Sequence, residues 1–166
     1  MNNAEITPGM MDKAELKALL LSSLDQEIDE AIKAAQQAQE AAAHQDNQPE
    51  NQYDTLSLEA AYLAHGQSER ILQLQQDRIR LEKWQIPEFS DDDVIATGAL
   101  VTLECNNSSP RLIWITPCAS RLLNNQVQAV SAHTPLAQRL VGLGVDDEVN
   151  LPLGESVGVW CIESVQ

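Results

Sequence analysis

Aromatic residues are scarce in this chain, which holds 166 residues with 4% aromatics and a single Phe. Ligand pockets are lined largely by apolar and aromatic side chains, so a large aromatic-lined pocket is not expected. No apolar run approaches the roughly 20 residues that a membrane helix needs. The first ten residues, MNNAEITPGM, have neither the basic stretch nor the apolar core of a signal peptide. The sequence therefore predicts a cytoplasmic protein without membrane contact.

Basic residues are also few, because 10 Lys and Arg stand against 25 Asp and Glu, for a net charge of −15. Binding of free nucleic acid depends on cationic side chains that neutralise phosphates. That function is excluded for so acidic a chain, unless another protein holds it near the nucleic acid. Three cysteines, in no CxxC arrangement, are expected to be reduced and mostly buried rather than to form disulfides or a zinc site: Cys105, Cys118 and Cys161.

Glycine and proline are nearly absent from the first half, which is rich in the good helix formers Ala, Leu, Gln, Glu and Lys. A first helix is predicted from Asp12, as its cap, to about Gln45. Its apolar residues recur at steps of three and four and form one stripe. This stripe consists of Leu16, Leu20, Leu24, Ile28, Ala31, Ala35, Ala38 and Ala42.

A second helix is predicted from about Asp54 to Trp84, after a polar turn at 44–53. Two helices of similar length joined by a short connection pack antiparallel, so the first half should be a helical hairpin. Counting outward from the turn places Ile28 opposite Leu72 and Leu20 opposite Ile79. The apolar stripe assigned to the second helix is Leu58, Ala61, Tyr62, His65, Leu72, Ile79 and Leu81.

The second half alternates apolar and polar residues between turn-forming segments, which predicts strands. One short helix interrupts them, with Thr134 as its N-cap and Pro135 in its first turn. The buried indole groups of Trp114 and Trp160 should each need a hydrogen-bond acceptor. The five predicted strands are 94–104, 111–116, 126–131, 147–151 and 157–165. The predicted class is α+β, with a helical hairpin at 1–86, a solvated linker at 87–93 and a mostly antiparallel sheet domain at 94–166.

Several segments of the second half resemble the bacterial Gre transcript-cleavage factors of RNA polymerase. The stretch from Val130 to Gly142, VSAHTPLAQRLVG, is similar to the family segment "VSxxSPLxxALLG". The stretch from Val145 to Val149, VDDEV, is similar to the family turn "GDEV", with Asp146 where the family usually has Gly. Val94-Ile95, Gly98 and the run 101–104 resemble the opening strand of that domain. The resemblance implies an FKBP-like fold for the C-terminal domain.

The predicted turn of the hairpin, at 46–54, resembles the acidic coiled-coil tip of that family, approximately "GDLxENAEY". Glu50, Asn51 and Tyr53 match after a one-residue gap, whereas Asp46 lies four residues before Glu50 rather than three. The resemblance implies that Asp46 and Glu50 help to hold a Mg²⁺ shared with the polymerase, and that Asn51 and Tyr53 support the tip. Asp54 is either a reserve carboxylate or the N-cap of the second helix. The alternative reading of the turn is a solvated acidic segment without chemistry.

The second helix carries a locally positive stretch in this acidic chain, formed by Arg70, Arg78, Arg80 and Lys83. These residues either form ion pairs along the helix or contact polymerase or emerging RNA.

The resemblance implies a transcription elongation factor with no cofactor of its own. It would insert the hairpin into the secondary channel of RNA polymerase and stimulate Mg²⁺-dependent cleavage of backtracked RNA by the polymerase itself. RNA would be met only at its 3′ end, within the elongation complex. The first alternative is a Gre-like regulator of the same channel without cleavage activity, which the shifted tip favours. A prolyl isomerase is disfavoured, because after Phe89 only two aromatic residues remain. A plain coiled-coil adaptor is the last alternative.

Overall fold

The computed structural model describes residues 11–45, 53–106, 108–153 and 158–166, with the backbone alone for residues 45 and 53–64. Three helices and six strands follow one another along the chain. In order they are α1 (Lys13–Gln45), α2 (Tyr53–Lys83), β1 (Leu100–Cys105), β2 (Ser108–Thr116), β3 (Arg121–Leu123), β4 (Val127–Ser131), α3 (Pro135–Leu140), β5 (Glu148–Leu151) and β6 (Gly158–Val165).

Helix α1 has 33 residues, a length of about 50 Å at 1.5 Å per residue. Asp12 caps it as predicted, because its carboxylate accepts a hydrogen bond from the amide of Ala14 at 2.9 Å. The predicted apolar stripe is confirmed. Its leucines and Ile28 are buried together with Ala35, and the remaining alanines are half-buried.

Helix α2 has the predicted extent but buries a different stripe. Leu72 and Ile79 are 55% and 51% exposed, and His65 is exposed as well, so their assignment to the helix interface is wrong. Leu81 is fully buried, so its assignment to the interface is confirmed, and Leu74, which the prediction omitted, is buried at 9% exposure.

The sequence holds two apolar stripes in α2, each with a spacing of seven residues. The predicted set combined Leu72 and Ile79 of the exposed stripe with Leu81 of the buried one. The stripe with Leu74 and Leu81 also includes the half-buried Ile71, so it removes more apolar area from water. Leu58, Ala61 and Tyr62, which completed the predicted stripe, lie among the residues whose side chains are not described.

Contacts divide the chain into two compact units, one of residues up to Leu20 together with Lys83–Gln166, and the other of Leu21–Glu82. The first unit holds the start of α1 by two hydrogen bonds. Lys13 Nζ donates to the carbonyl of Pro87 at 3.3 Å, and Lys17 Nζ donates to the carbonyl of Trp84 at 2.8 Å. This division differs from the predicted domains, since the first turns of α1 cluster with the sheet.

The sheet has six strands in the order β3-β4-β2-β1-β6-β5. All neighbours are antiparallel except β2 and β4, which are parallel. Sequence analysis expected five strands and did not find β3, which has only three residues.

The strand predicted at 94–104 begins only at Leu100, because the segment before it turns. Gly98 has a φ of +105°, and a Cβ at this position would lie 2.6 Å from the Pro87 ring. This left-handed conformation with a close neighbour requires glycine.

One face of the sheet packs on α3 and forms the main hydrophobic core, whose largest members include Ile113, Leu140 and Ile162. The opposite face carries the buried Trp114, whose ring lies 5.7 Å from that of Trp84. The predicted α+β class, a helical hairpin with a sheet domain and one short helix, is confirmed. The sheet is mostly antiparallel as expected, with one parallel pair, β2 and β4. Within the described part of the chain, no helix is both long and apolar enough to cross a membrane.

The cysteines and tryptophans mostly follow the predictions. All three cysteines are free; Cys118 is buried, and Cys105 and Cys161 are half-buried. The Trp114 indole donates to the carbonyl of Gly98 at 3.3 Å. Trp160 is buried too, but its Nε1 has no acceptor among the residues that the structure describes, so the expected partner is not found there.

Candidate interaction surfaces of the hairpin and the C-terminal unit

The predicted tip falls largely outside the described residues, which include none of Asp46, Glu50 and Asn51. Tyr53 is the first residue of α2, and its side chain is not described. Asp54 is therefore the second residue of the helix, and its assignment as the N-cap is wrong. The metal-assisting role of Asp46 and Glu50 stays a prediction.

Two arginines of the predicted basic stretch form ion pairs with carboxylates of α1. Arg70 Nη2 lies 2.6 Å from Glu27 Oε1. Arg78 contacts Asp25 through Nε and Nη2, and its Nη1 lies 3.2 Å from Glu82 Oε2. The arginine nearer the end of α2 meets the carboxylate nearer the start of α1, so the two helices of this unit run antiparallel.

These ion pairs fix the helix register more than they add stability. The hydrogen bond that Arg78 donates to Asp25 is the main cause that raises the pKa of the Arg78 guanidinium. Both arginines are solvent-accessible, and exposed pairs contribute about 0–1 kcal/mol each. The two hydrogen bonds from Arg78 to Asp25 nevertheless specify which face of α2 meets α1.

The other two cations of the stretch, Arg80 and Lys83, are exposed and belong to none of the ion pairs found among the described residues. The predicted set is thus split. Arg78 forms one pair along α2, with Glu82, as the ion-pair reading expects, but Arg70 and Arg78 also pair with α1, which was not predicted. Arg80 and Lys83 present their charges to solvent. Contact of any of the four with polymerase or RNA stays a prediction.

Lys13 is a feature that sequence reasoning missed. Its Nζ lies 4.9 Å from the centroid of the Phe89 ring. Burial lowers the pKa of Lys13 to about 8, against the opposing charge of Glu88. Neither neighbour is close in sequence, so no local pattern could have identified this environment.

The segment similar to the Gre family motif joins β4 to α3, and the structure gives several of its letters a physical role. Thr134 caps α3 by accepting from the amide of Ala137 at 3.3 Å, and its hydroxyl donates to the carbonyl of Ser131 at 2.8 Å. Pro135 occupies the first turn, where a missing N–H has no cost. Ala137 and Leu140 are buried in the core, so the motif encodes a capped, docked helix.

The departure from the family turn at Asp146 also has a structural explanation. Asp146 has a φ of +71°, the left-handed region that favours glycine. Aspartate tolerates this region better than most residues. The amide of Asp146 donates to the carbonyl of Ile162 at 2.9 Å, which holds the turn on β6.

Metal binding by the described part of the chain is not indicated, because it contains no group of three or more His, Cys, Asp or Glu placed to hold an ion.

Comparisons with known proteins give similarity only among solved structures. No family model matches the chain, and no curated protein matches it. The GreA factor homolog 1 (Gfh1) of Thermus thermophilus is 18% identical, with a TM-score of 0.40 and coverage of 89% of this chain and 95% of that one. Gfh1 of Thermus aquaticus gives 18% identity, a TM-score of 0.39 and coverage of 89% and 94%. A further solved structure, of the transcription factor Gfh1, is 18% identical, with a TM-score of 0.41 and coverage of 89% of this chain and 93% of that one. Likeness at this level does not establish a function.

Proposed function

We propose that this protein is a Gre-like accessory factor of bacterial RNA polymerase, located in the cytoplasm, that inserts its helical hairpin into the secondary channel. One observation carries the proposal: the family-like segment 130–142 forms a capped helix in an α+β unit of a chain that also contains a long helical hairpin. The resemblance of residues 46–54 to the acidic tip of the Gre family also supports the proposal. The protein would act on the polymerase's own nuclease activity and would not be a catalyst by itself.

The chemistry would lie at the tip. Mg²⁺ binds oxygen ligands, usually one or two carboxylates together with phosphate oxygens and water. A two-metal site stabilises the attacking and leaving oxygens during hydrolysis of a phosphodiester. Asp46 and Glu50 would supply carboxylates to a polymerase site that already holds one ion. A narrow hairpin suits this task, since α1 contributes alanines near its end.

The negative charge of the chain supports a function in which a protein partner brings it to RNA. The net charge of −15 opposes binding to free RNA. Arg80 and Lys83 are exposed, so within the predicted basic stretch they are the cations available for contact with polymerase or with RNA inside the complex.

The test is RNA cleavage in stalled, backtracked elongation complexes with Mg²⁺. Transcripts shortened from their 3′ ends are expected with the wild type. Asp46→Ala and Glu50→Ala should each lower the cleavage rate at least tenfold. Glu40→Ala is the matched control, because Glu40 is an exposed acid of α1 outside the tip. Equal cleavage by wild type and both tip variants would contradict the assignment of the tip.

The second candidate is a regulator of the same channel without cleavage activity. The shifted register favours it, since Asp46 and Glu50 are four residues apart and Pro49 lies between them. In that case the wild type would produce no shortened RNA but would inhibit an authentic cleavage factor in a dose-dependent manner. Absence of both effects would contradict both candidates.

A further inference from the structure

The outer face of the C-terminal sheet carries a row of polar side chains across three adjacent strands. Glu104 of β1 lies opposite Cys161 of β6, and Glu148 of β5 lies opposite Cys161 from the other side. Directly opposed residues project from the same face of a sheet. Their chain neighbours Leu103 and Ile162 are fully buried in the core, so this row faces away from it.

The row lies in an open groove of about 770 Å³. Val159 lines the groove two residues before Cys161 and is 51% exposed. Pro110 of β2 lines it as well and is also exposed. The groove therefore combines an apolar surface with carboxylates, and it extends over four strands, from β2 through β1 and β6 to β5.

Charge of one sign surrounds this surface. Burial, followed by the negative charges of Asp146, Glu148, Glu104 and Glu163, raises the pKa of the Cys161 thiol, and no cation contributes. Burial and a hydrogen bond with Glu104 raise the pKa of Glu163, so two carboxyl groups are held together without a counterion. Glu104, Glu148 and Glu163 take part in none of the ion pairs found among the described residues.

We propose that this groove binds an extended, lysine- or arginine-rich segment of a partner protein. Glu104 and Glu148 would pair with the cationic groups, while the methylene stems of those side chains would cover Val159 and Pro110. Strands lie about 4.8 Å apart, so four strands span about 14 Å, which about four extended residues can cross. The inference does not depend on the role proposed for the hairpin.

Other ligand classes fit these observations less well. Nucleic acid would be repelled by the carboxylates. A metal ion has no suitable ligand group among the described residues. An extended cationic peptide can pair its positive groups with the carboxylates of the groove and cover the exposed apolar side chains.

The first probe is a fluorescein-labelled decapeptide of alternating lysine and valine, measured by fluorescence anisotropy with the full-length protein at 50 and 200 mM salt. Binding is expected at 50 mM salt and should weaken at 200 mM. The double variant Glu104→Gln/Glu148→Gln should bind about tenfold more weakly. Val159→Ser should weaken binding a few-fold, and a peptide with serine in place of valine should bind more weakly to the wild type.

The main competing explanation is attraction of any cation to a very acidic protein. The matched control is Glu15→Gln/Asp29→Asn, which removes the same charge from exposed positions of α1. This variant should change the affinity less than twofold. An equal loss in both double variants would overturn the proposal, as would equal affinity for the serine peptide.

Two further measurements distinguish misfolding and self-association from loss of the site. Backbone amide NMR shifts of the wild type should move at Val159, Cys161 and Glu148 on addition of the peptide, and the spectra of the variants should otherwise match the wild type. Shifts confined to α1 and α2 would overturn the proposal. Without peptide, the wild type should sediment as a monomer. A dimer that Glu104→Gln/Glu148→Gln abolishes would overturn the proposal, because a second copy of the chain would then occupy the groove.

Discussion

The face of α2 that packs against α1 can be tested by replacing one leucine. Leu81 is fully buried, whereas Ile79, two residues earlier, is 51% exposed. Leu81→Ala removes three buried carbon atoms, worth about 0.8 kcal/mol each in transfer free energy, and the cavity left behind adds to this loss. We expect the free energy of unfolding to fall by about 2–5 kcal/mol.

Ile79→Ala is the matched control, since it also removes three carbon atoms from α2. About half of the transfer free energy is lost at a half-exposed side chain, or about 1.2 kcal/mol, and the higher helix propensity of alanine returns up to about 0.5 kcal/mol. The expected loss is therefore below about 1 kcal/mol.

Helical circular dichroism gives the free energy of unfolding of both variants by urea denaturation and their Tm by thermal denaturation. For a chain of this size, a loss of 1 kcal/mol lowers Tm by about 2–4 °C, so Leu81→Ala should lower it by about 5–15 °C. A loss at Ile79 as large as at Leu81 would refute the observed helix register and restore the one counted from the turn.

Three further predictions concern single groups of the first unit. Lys13 has a folded-state pKa of about 8, below its ordinary 10.5. The unfolded chain thus binds more protons between these values, and stability should rise with pH across that window, by less than about 1 kcal/mol because the side chain is partly exposed. The rise should be absent from Lys13→Met in urea titrations at pH 7–10, and an equal rise in both proteins would contradict the cause. Glu163 has a raised pKa, so its contribution to stability falls as pH rises above its ordinary 4.5. Glu163→Gln should therefore raise Tm at pH 7.5 and have no such effect near pH 4, and a lower Tm at pH 7.5 would refute the like-charge contact with Glu104. Asp146→Val should lower the free energy of unfolding by about 1–2 kcal/mol, because a β-branched residue is strained at positive φ. Asp146→Gly should change it little, and equal stability of the two variants in urea would contradict the left-handed turn.

Sequence periodicity predicted the helices well because α1 has one apolar stripe and no competing one. In α2 two stripes coexist, and the ion pairs of Arg70 and Arg78 with α1 favour the one with Leu74 and Leu81. Those pairs join residues more than 40 positions apart, so no local window contains the deciding information. The same limit explains Lys13, whose shifted pKa comes from packing beside the Phe89 segment.

The sheet shows where local patterns are sufficient and where they are not. Thr134 and Pro135 identified α3 because capping is a local interaction, completed within three residues. The parallel pairing of β2 with β4 depends on the chain between them, and the three residues of β3 are too few for an alternating pattern.

The outer groove of the sheet could not be found from sequence because its members come from four strands. Glu104, Glu148 and Cys161 are separated by 13 or more positions in the printed sequence, and each alone looks like an ordinary strand residue. Register brings them into one row, where the charges that raise the pKa of the Cys161 thiol are all negative. A protein that holds like charges beside exposed apolar groups loses some stability. A cationic partner would recover that loss on binding, which is why the groove is the surface where a basic segment is expected to bind.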